Sequence, residues 1–166
     1  MKKVYQTIYD KKNGNCIQAV VASLLELELE QVPHFLEFGD DWWNKTYSFL
    51  DEHGYSFNGN LQNINFKYLL NPKSGCYHKE QKPSRTTVLC SSNLKNRKGF
   101  NGFFYAVVLS PNYFDYNNWC THAVVCDANL KIVHDPSIGY KSILQYPLKS
   151  ILNHNGIIEI KLFEKQ

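Results

Sequence analysis

At 166 residues, with 43% apolar and 20% charged side chains, the chain has the make-up of one ordinary globular domain, and a single domain over residues 1–166 is expected. A net charge of +3 is too mild to point to nucleic acid, and no apolar run approaches the roughly 18 residues needed to cross a bilayer. Five cysteines, an odd number, and an opening MKKVYQTIYD without an apolar signal core lead to the expectation of a reducing, cytoplasmic setting.

In chain order, Lys3 to Ile8 alternates loosely and predicts a short edge strand, in which Gln6 is the one residue with a chemical use. The turn-like Asn13-Gly14-Asn15 runs into Cys16. From Ile17 to Leu27 every residue is apolar or small except Gln18, Ser23 and Glu26. A helix apolar nearly all round is a buried one, so a central helix is expected over Cys16 to Leu27, with Glu28 to Val32 continuing or capping it before Pro33. His34 after that proline reads as structural or surface. Asp40 or Asp41 is placed to cap a second helix, whose Trp42, Trp43, Tyr47, Phe49 and Leu50 recur at helical spacing up to His53-Gly54 and read as core.

From Asn58 to Gly102 the pattern weakens, with one short strand expected at Thr86 to Cys90. Between Lys73 and Lys98 seven basic residues face one acid, and Tyr77, His78 and Phe100 lie among or beside them. Such a run is either a solvated loop or a surface for an anionic partner, with Lys95, Arg97 and Lys98 its densest part. The last third predicts strands over Gly102–Leu109, Thr121–Cys126 and Leu130–Ser137, a short helical or irregular segment over Ser142–Leu152, and a closing strand over Ile157–Phe163.

Two places carry chemistry. Cys16 opens the buried helix, where unpaired N–H groups and the helix dipole favour a thiolate; a buried structural cysteine is the other reading. In the hairpin after Thr121, a two-residue loop at Ala128-Asn129 sets His122 directly opposite Asp135, within reach of an imidazole–carboxylate hydrogen bond, and an odd loop or a bulge breaks that register. Cys16, His122 and Asp135 then form a nucleophile, base and orienter set. His134 falls on the opposite face. A zinc alternative, from Cys120, His122 and Cys126 with Cys76 and His78, has spacings that match no closed zinc pattern, and no metal or cofactor is called for.

The segments NGNCIQAVVASLLELELEQVPHF and THAVVCDANLKIVHDPSIG together resemble the papain-like cysteine peptidase fold, in particular the bacterial C39-like peptidases and related small phage or bacterial proteins. The resemblance implies an α+β layout with the helix against an antiparallel sheet. It also implies Cys16 as nucleophile, His122 as general base and Asp135 as orienter, acting on a peptide, amide or protein substrate. The family carries a Gln six residues before its nucleophile as an oxyanion donor, and here that position is Asp10. Gln6, or Asn13 or Asn15, is left for the role beside the Cys16 N–H. Hydrolysis, acyl transfer to an amine, and partner binding through segment 73–100 are all compatible with these residues.

Overall fold

The structure, a computed structural model, describes residues 1–10, 12–62, 86–109, 121–137 and 157–166. Helix α1 spans Cys16–Leu25 and α2 spans Trp42–Glu52. The strands are β1 (Tyr55–Gln62), β2 (Thr86–Val88), β3 (Phe103–Leu109), β4 (Thr121–Asp127), β5 (Ile132–His134) and β6 (Ile157–Lys165). They form one six-stranded sheet in the order β2-β1-β6-β3-β4-β5, antiparallel throughout except for the parallel β1/β2 pairing at the edge. The expected α+β layout, a buried helix on an antiparallel sheet, is what these residues form.

Strand alternation sorts the core into two layers. On one face Tyr105 and Val107 of β3, Ala123 and Val125 of β4 and Phe163 of β6 pack against Val20, Val21 and Leu24 of α1 and Leu50 of α2. On the other, Phe104, Ala106, Val108, Val124 and Cys126 pack with Leu89, Leu94 and Leu130. Burying each α1 aliphatic side chain contributes roughly 1.5–3 kcal/mol, which explains why this helix forms without a side-chain cap or a charged surface.

Helix α1 stops at Leu25, two residues before the expected end. Glu26 takes a left-handed φ of +62°, and the N–H groups of Glu26 and Leu27 both close onto the Ala22 carbonyl. The Glu28–Val32 stretch does not extend it but forms a separate 3-10 turn over Leu29–Gln31. In α2, Asp41 stands at the N-cap position but its carboxylate accepts from the Asn44 side chain instead of the backbone. Thr46 and Leu50 are its buried residues; Trp42, Trp43 and Tyr47 are half-buried in a stacked row against the core, and half-buried Phe49 meets Phe35 edge-on.

Residues 3–8, expected as an edge strand, join no sheet, and the chain bends at Thr7. The alternation is real, with Val4 and Gln6 buried and Lys3, Tyr5 and Thr7 exposed. The backbone groups, however, bond to side chains and loops: Val4 N–H to Ser23 Oγ, Thr7 and Ile8 N–H to Asn15 Oδ1, Gln6 N–H to the Pro136 carbonyl. Strand β1 went unpredicted because Asn58-Gly59-Asn60 interrupts its pattern; Gly59 has φ +94° and the register with β6 shifts between Phe57 and Asn60. Strand β6 is central, between β1 and β3.

Candidate active site

Cys16 is the first residue of α1, and the turn before it is tight: a Cβ on Gly14 would lie 2.5 Å from the Asp10 carbonyl oxygen. Strand β5 pairs with β4 only at Val125 and Cys126, so β5 leaves the start of β4 open. There the Cys16 sulfur meets His122 and the Ala123 N–H, with the Ile17 N–H from its own helix turn. Burial alone pushes the thiol up. The hydrogen bond and charge of His122, then the two backbone N–H groups, outweigh it and hold Cys16 below the ordinary value of 9.0.

His122 Nε2 donates to Asp135 Oδ1 at 2.7 Å. A carboxylate only accepts, so the proton is fixed on Nε2 and Nδ1 is left for Cys16. Asp135 is itself held by the Ser137 N–H at 2.9 Å. Burial pushes His122 down, but hydrogen bonds to Asp135 and Cys16 and their charges push it up, from 6.5 to about 10. The imidazolium and the thiolate therefore stabilise each other.

The pair forms, but not through the expected register. The turn closes with the Asp127 N–H on the Lys131 carbonyl and Leu130 at φ +62°, a three-residue loop rather than two. Val133 is then extra between the Cys126–Ile132 and Val125–His134 pairs. Two shifts of one residue each leave side-chain parity intact, so Asp135 stays on the His122 face as a diagonal neighbour.

Of the oxyanion candidates, Gln6 is buried, and its Nε2 donates to the Ile8 carbonyl at 3.3 Å. The same carbonyl accepts the Asn15 N–H at 3.3 Å, which brings the Gln6 amide beside the residue preceding Cys16. Nε2 keeps a second N–H, and Gln6 Oε1 is buried without a partner. Asn15 is committed elsewhere: its Nδ2 donates to Thr7 Oγ1 (3.2 Å) and Gln18 Oε1 (3.0 Å), leaving no donor for an oxyanion. Asn13, in the turn before Asn15, uses its backbone N–H on Asp10 Oδ1.

His134 donates to the Val4 carbonyl at 2.7 Å and meets the Tyr5 ring edge-on. Burial pushes the Cys126 thiol far up, which keeps it protonated. Lys95 and Lys98 are exposed, whereas Arg97 is half-buried and already pairs with Glu164 and with the Asn93 carbonyl. The rest of the basic run, Cys76, His78, Cys120 and the Ser142–Leu152 segment lie outside the described residues. Among the described residues no cluster of three metal-ligating side chains is arranged to hold an ion, and no helix is long and apolar enough to cross a membrane. Sequence reading passed over Gln18 and Thr7, which complete the Asn15 network; a lone Gln in an otherwise apolar helix turn was the signal.

Fold and site together define an α+β protein in which a cysteine at a helix start, a histidine at a strand start and an aspartate after the next strand converge. No family model, curated protein or solved structure was found to match the chain.

Proposed function

We propose that the protein is a thiol-dependent hydrolase, a papain-like cysteine peptidase or amidase, that works through an acyl-enzyme at Cys16. The observation that carries this reading is the coupled arrangement of Cys16, His122 and Asp135, with the thiol lowered and the imidazole raised. The Cys16 thiolate attacks a substrate carbonyl carbon, and the resulting oxyanion is met by the Cys16 N–H and the free N–H of Gln6. His122 gives its Nδ1 proton to the leaving amine as the tetrahedral intermediate collapses to a thioester. Water, deprotonated by His122, then releases the acid. Asp135 keeps the imidazole oriented throughout. Acid–base transfer of this kind contributes about 10²–10⁴-fold and each oxyanion donor about 10²–10³-fold.

The test is the rate of Cys16 alkylation by iodoacetamide against pH, read by peptide mass spectrometry in the wild type and in His122→Ala. The reading expects reaction well below the pH of a free thiol, with that advantage lost in the variant. An inert Cys16, or the same profile in both proteins, removes the nucleophile and with it the hydrolase.

A further inference from the structure

Asn15 and Gln18 form a connected pair of carboxamides that the triad does not use. Asn15 is buried and all four of its hydrogen-bonding capacities are filled: Oδ1 accepts the N–H groups of Thr7 (3.0 Å) and Ile8 (2.9 Å), and Nδ2 donates to Thr7 Oγ1 and Gln18 Oε1. Gln18 passes the connection on, donating to the carbonyls of Leu29 (3.0 Å) and Val32 (2.7 Å). Asn15 thus joins three pieces of chain: the 6–8 segment, the first turn of α1, and the turn that follows the helix.

The bonds between Asn15 and Ile8 are reciprocal. The Ile8 N–H goes to the Asn15 side chain, and the Asn15 N–H goes to the Ile8 carbonyl. That carbonyl also holds the Gln6 amide. Gln6 in turn donates its backbone N–H to Pro136, the residue after Asp135. Where the Gln6 amide sits relative to Cys16 is therefore set through Asn15.

We propose that Asn15, locked by Gln18, is a positioning residue that aligns the two oxyanion donors, the Cys16 N–H and the Gln6 amide. This rests on the hydrolase reading. It assigns Asn15 a role through other groups, since Asn15 has no free donor of its own. A misplacement of about 1 Å at a reacting centre costs on the order of a hundredfold, so loosening this splice acts on acyl transfer far more than on thiol ionisation.

Two probes separate these effects. Iodoacetamide consumes the thiolate by displacement of iodide and develops no oxyanion. With p-nitrophenyl acetate the thiolate forms a C–S bond to the acetyl carbon through an oxyanion, and the C–O bond breaks to release p-nitrophenolate, which needs no proton. The expected result for Asn15→Ala is acylation of Cys16 slowed about tenfold to a hundredfold relative to alkylation, with the pH midpoint of alkylation unchanged. Gln18→Leu and Thr7→Val, each removing one acceptor of Asn15 Nδ2, should show the same change in ratio to a smaller degree and decide the matter if Asn15→Ala does not fold. Rates of the two reactions that fall together, or an unchanged ratio in the folded variants, overturn the positioning role. A wild-type Cys16 without a depressed alkylation midpoint overturns the hydrolase reading itself, and the positioning role with it.

Discussion

Asp135 meets His122 at 2.7 Å although continuing the Val125–His134 pairing along the strands brings Ser137, not Asp135, opposite the histidine. The three-residue turn at Ala128–Leu130 and the extra Val133 each slide the strand by one position, and the sum is even. A single slip would have turned Asp135 to the other face. Deleting one residue from the turn, Asn129, should do so: His122 would lose its carboxylate, and Cys16 alkylation should move to the pH range of an ordinary thiol. Mass-spectrometric alkylation profiles of the deletion and the wild type check this.

Replacing the charge while keeping the shape isolates the electrostatic part. In Asp135→Asn the acceptor for the Ser137 N–H remains, but the largest influence raising His122 is removed. The His122 midpoint should fall from about 10 toward 6.5 and the Cys16 midpoint should rise, because an imidazole that is less firmly charged favours the thiolate less. Histidine NMR titration and the alkylation profile should move in opposite directions. A Cys16 midpoint that stays in place would mean the helix turn and backbone N–H groups suffice without the histidine's charge.

The same shifts set a pH dependence of stability. His122 has a folded value above its unfolded one, so its contribution is fully present below about 6.5 and is lost as pH rises through about 10. Cys16 is lowered, so its contribution is present above 9.0 and is lost as pH falls through its folded value. Urea unfolding of the wild type and of His122→Ala should therefore show a stability gap at neutral pH that narrows as pH passes about 10. A gap constant across that range would show that His122 contributes through packing and not through charge.

How much of this was legible in the residues differs by element, for physical reasons. Helix α1 and strands β3 and β4 announce themselves because each is buried nearly all round and has few polar interruptions. The helix end did not, since the chain turns at Glu26, a residue with no preference for left-handed backbone. Strand β1 is bulged and polar and takes as partner a strand about a hundred residues later, a pairing no local pattern encodes. That Cys16, His122 and Asp135 come together was readable from context, yet the path by which His122 reaches Asp135 was not, because a left-handed leucine at position 130 carries no turn signature. The basic run was legible as charge only; that Arg97 is taken by Glu164 depends on a strand far along the chain.

His134 offers a control beside His122. It is buried, and its Nε2 donates to the Val4 carbonyl at 2.7 Å, with burial pushing it toward the neutral form. His134→Leu removes the shorter of two hydrogen bonds to that carbonyl, which keeps Ser23 Oγ at 3.4 Å, and should cost about 0.5–1.5 kcal/mol in urea unfolding. The pH midpoint of Cys16 alkylation should not change. A shifted midpoint would mean that the 3–8 segment transmits strain to Cys16.

The sheet also carries an ion pair within β6, between buried Lys161 and half-buried Glu159. Lys161 on β6 is 8% exposed; its Nζ lies 3.1 Å from Glu159 Oε1 and 4.4 Å from the centre of the Trp43 ring on α2. The ammonium thus joins the sheet to α2 from within the packed layer. Glu159→Gln leaves the buried ammonium without its carboxylate and should destabilise by about 3–5 kcal/mol, whereas Lys161→Met leaves a carboxylate that still reaches solvent and should cost less. The double variant leaves no stranded charge and should be less destabilised than the sum of the two by about 0.5–3 kcal/mol. Urea unfolding of the four proteins gives the coupling directly; additive losses would show that Trp43, and not Glu159, is what holds the lysine in place.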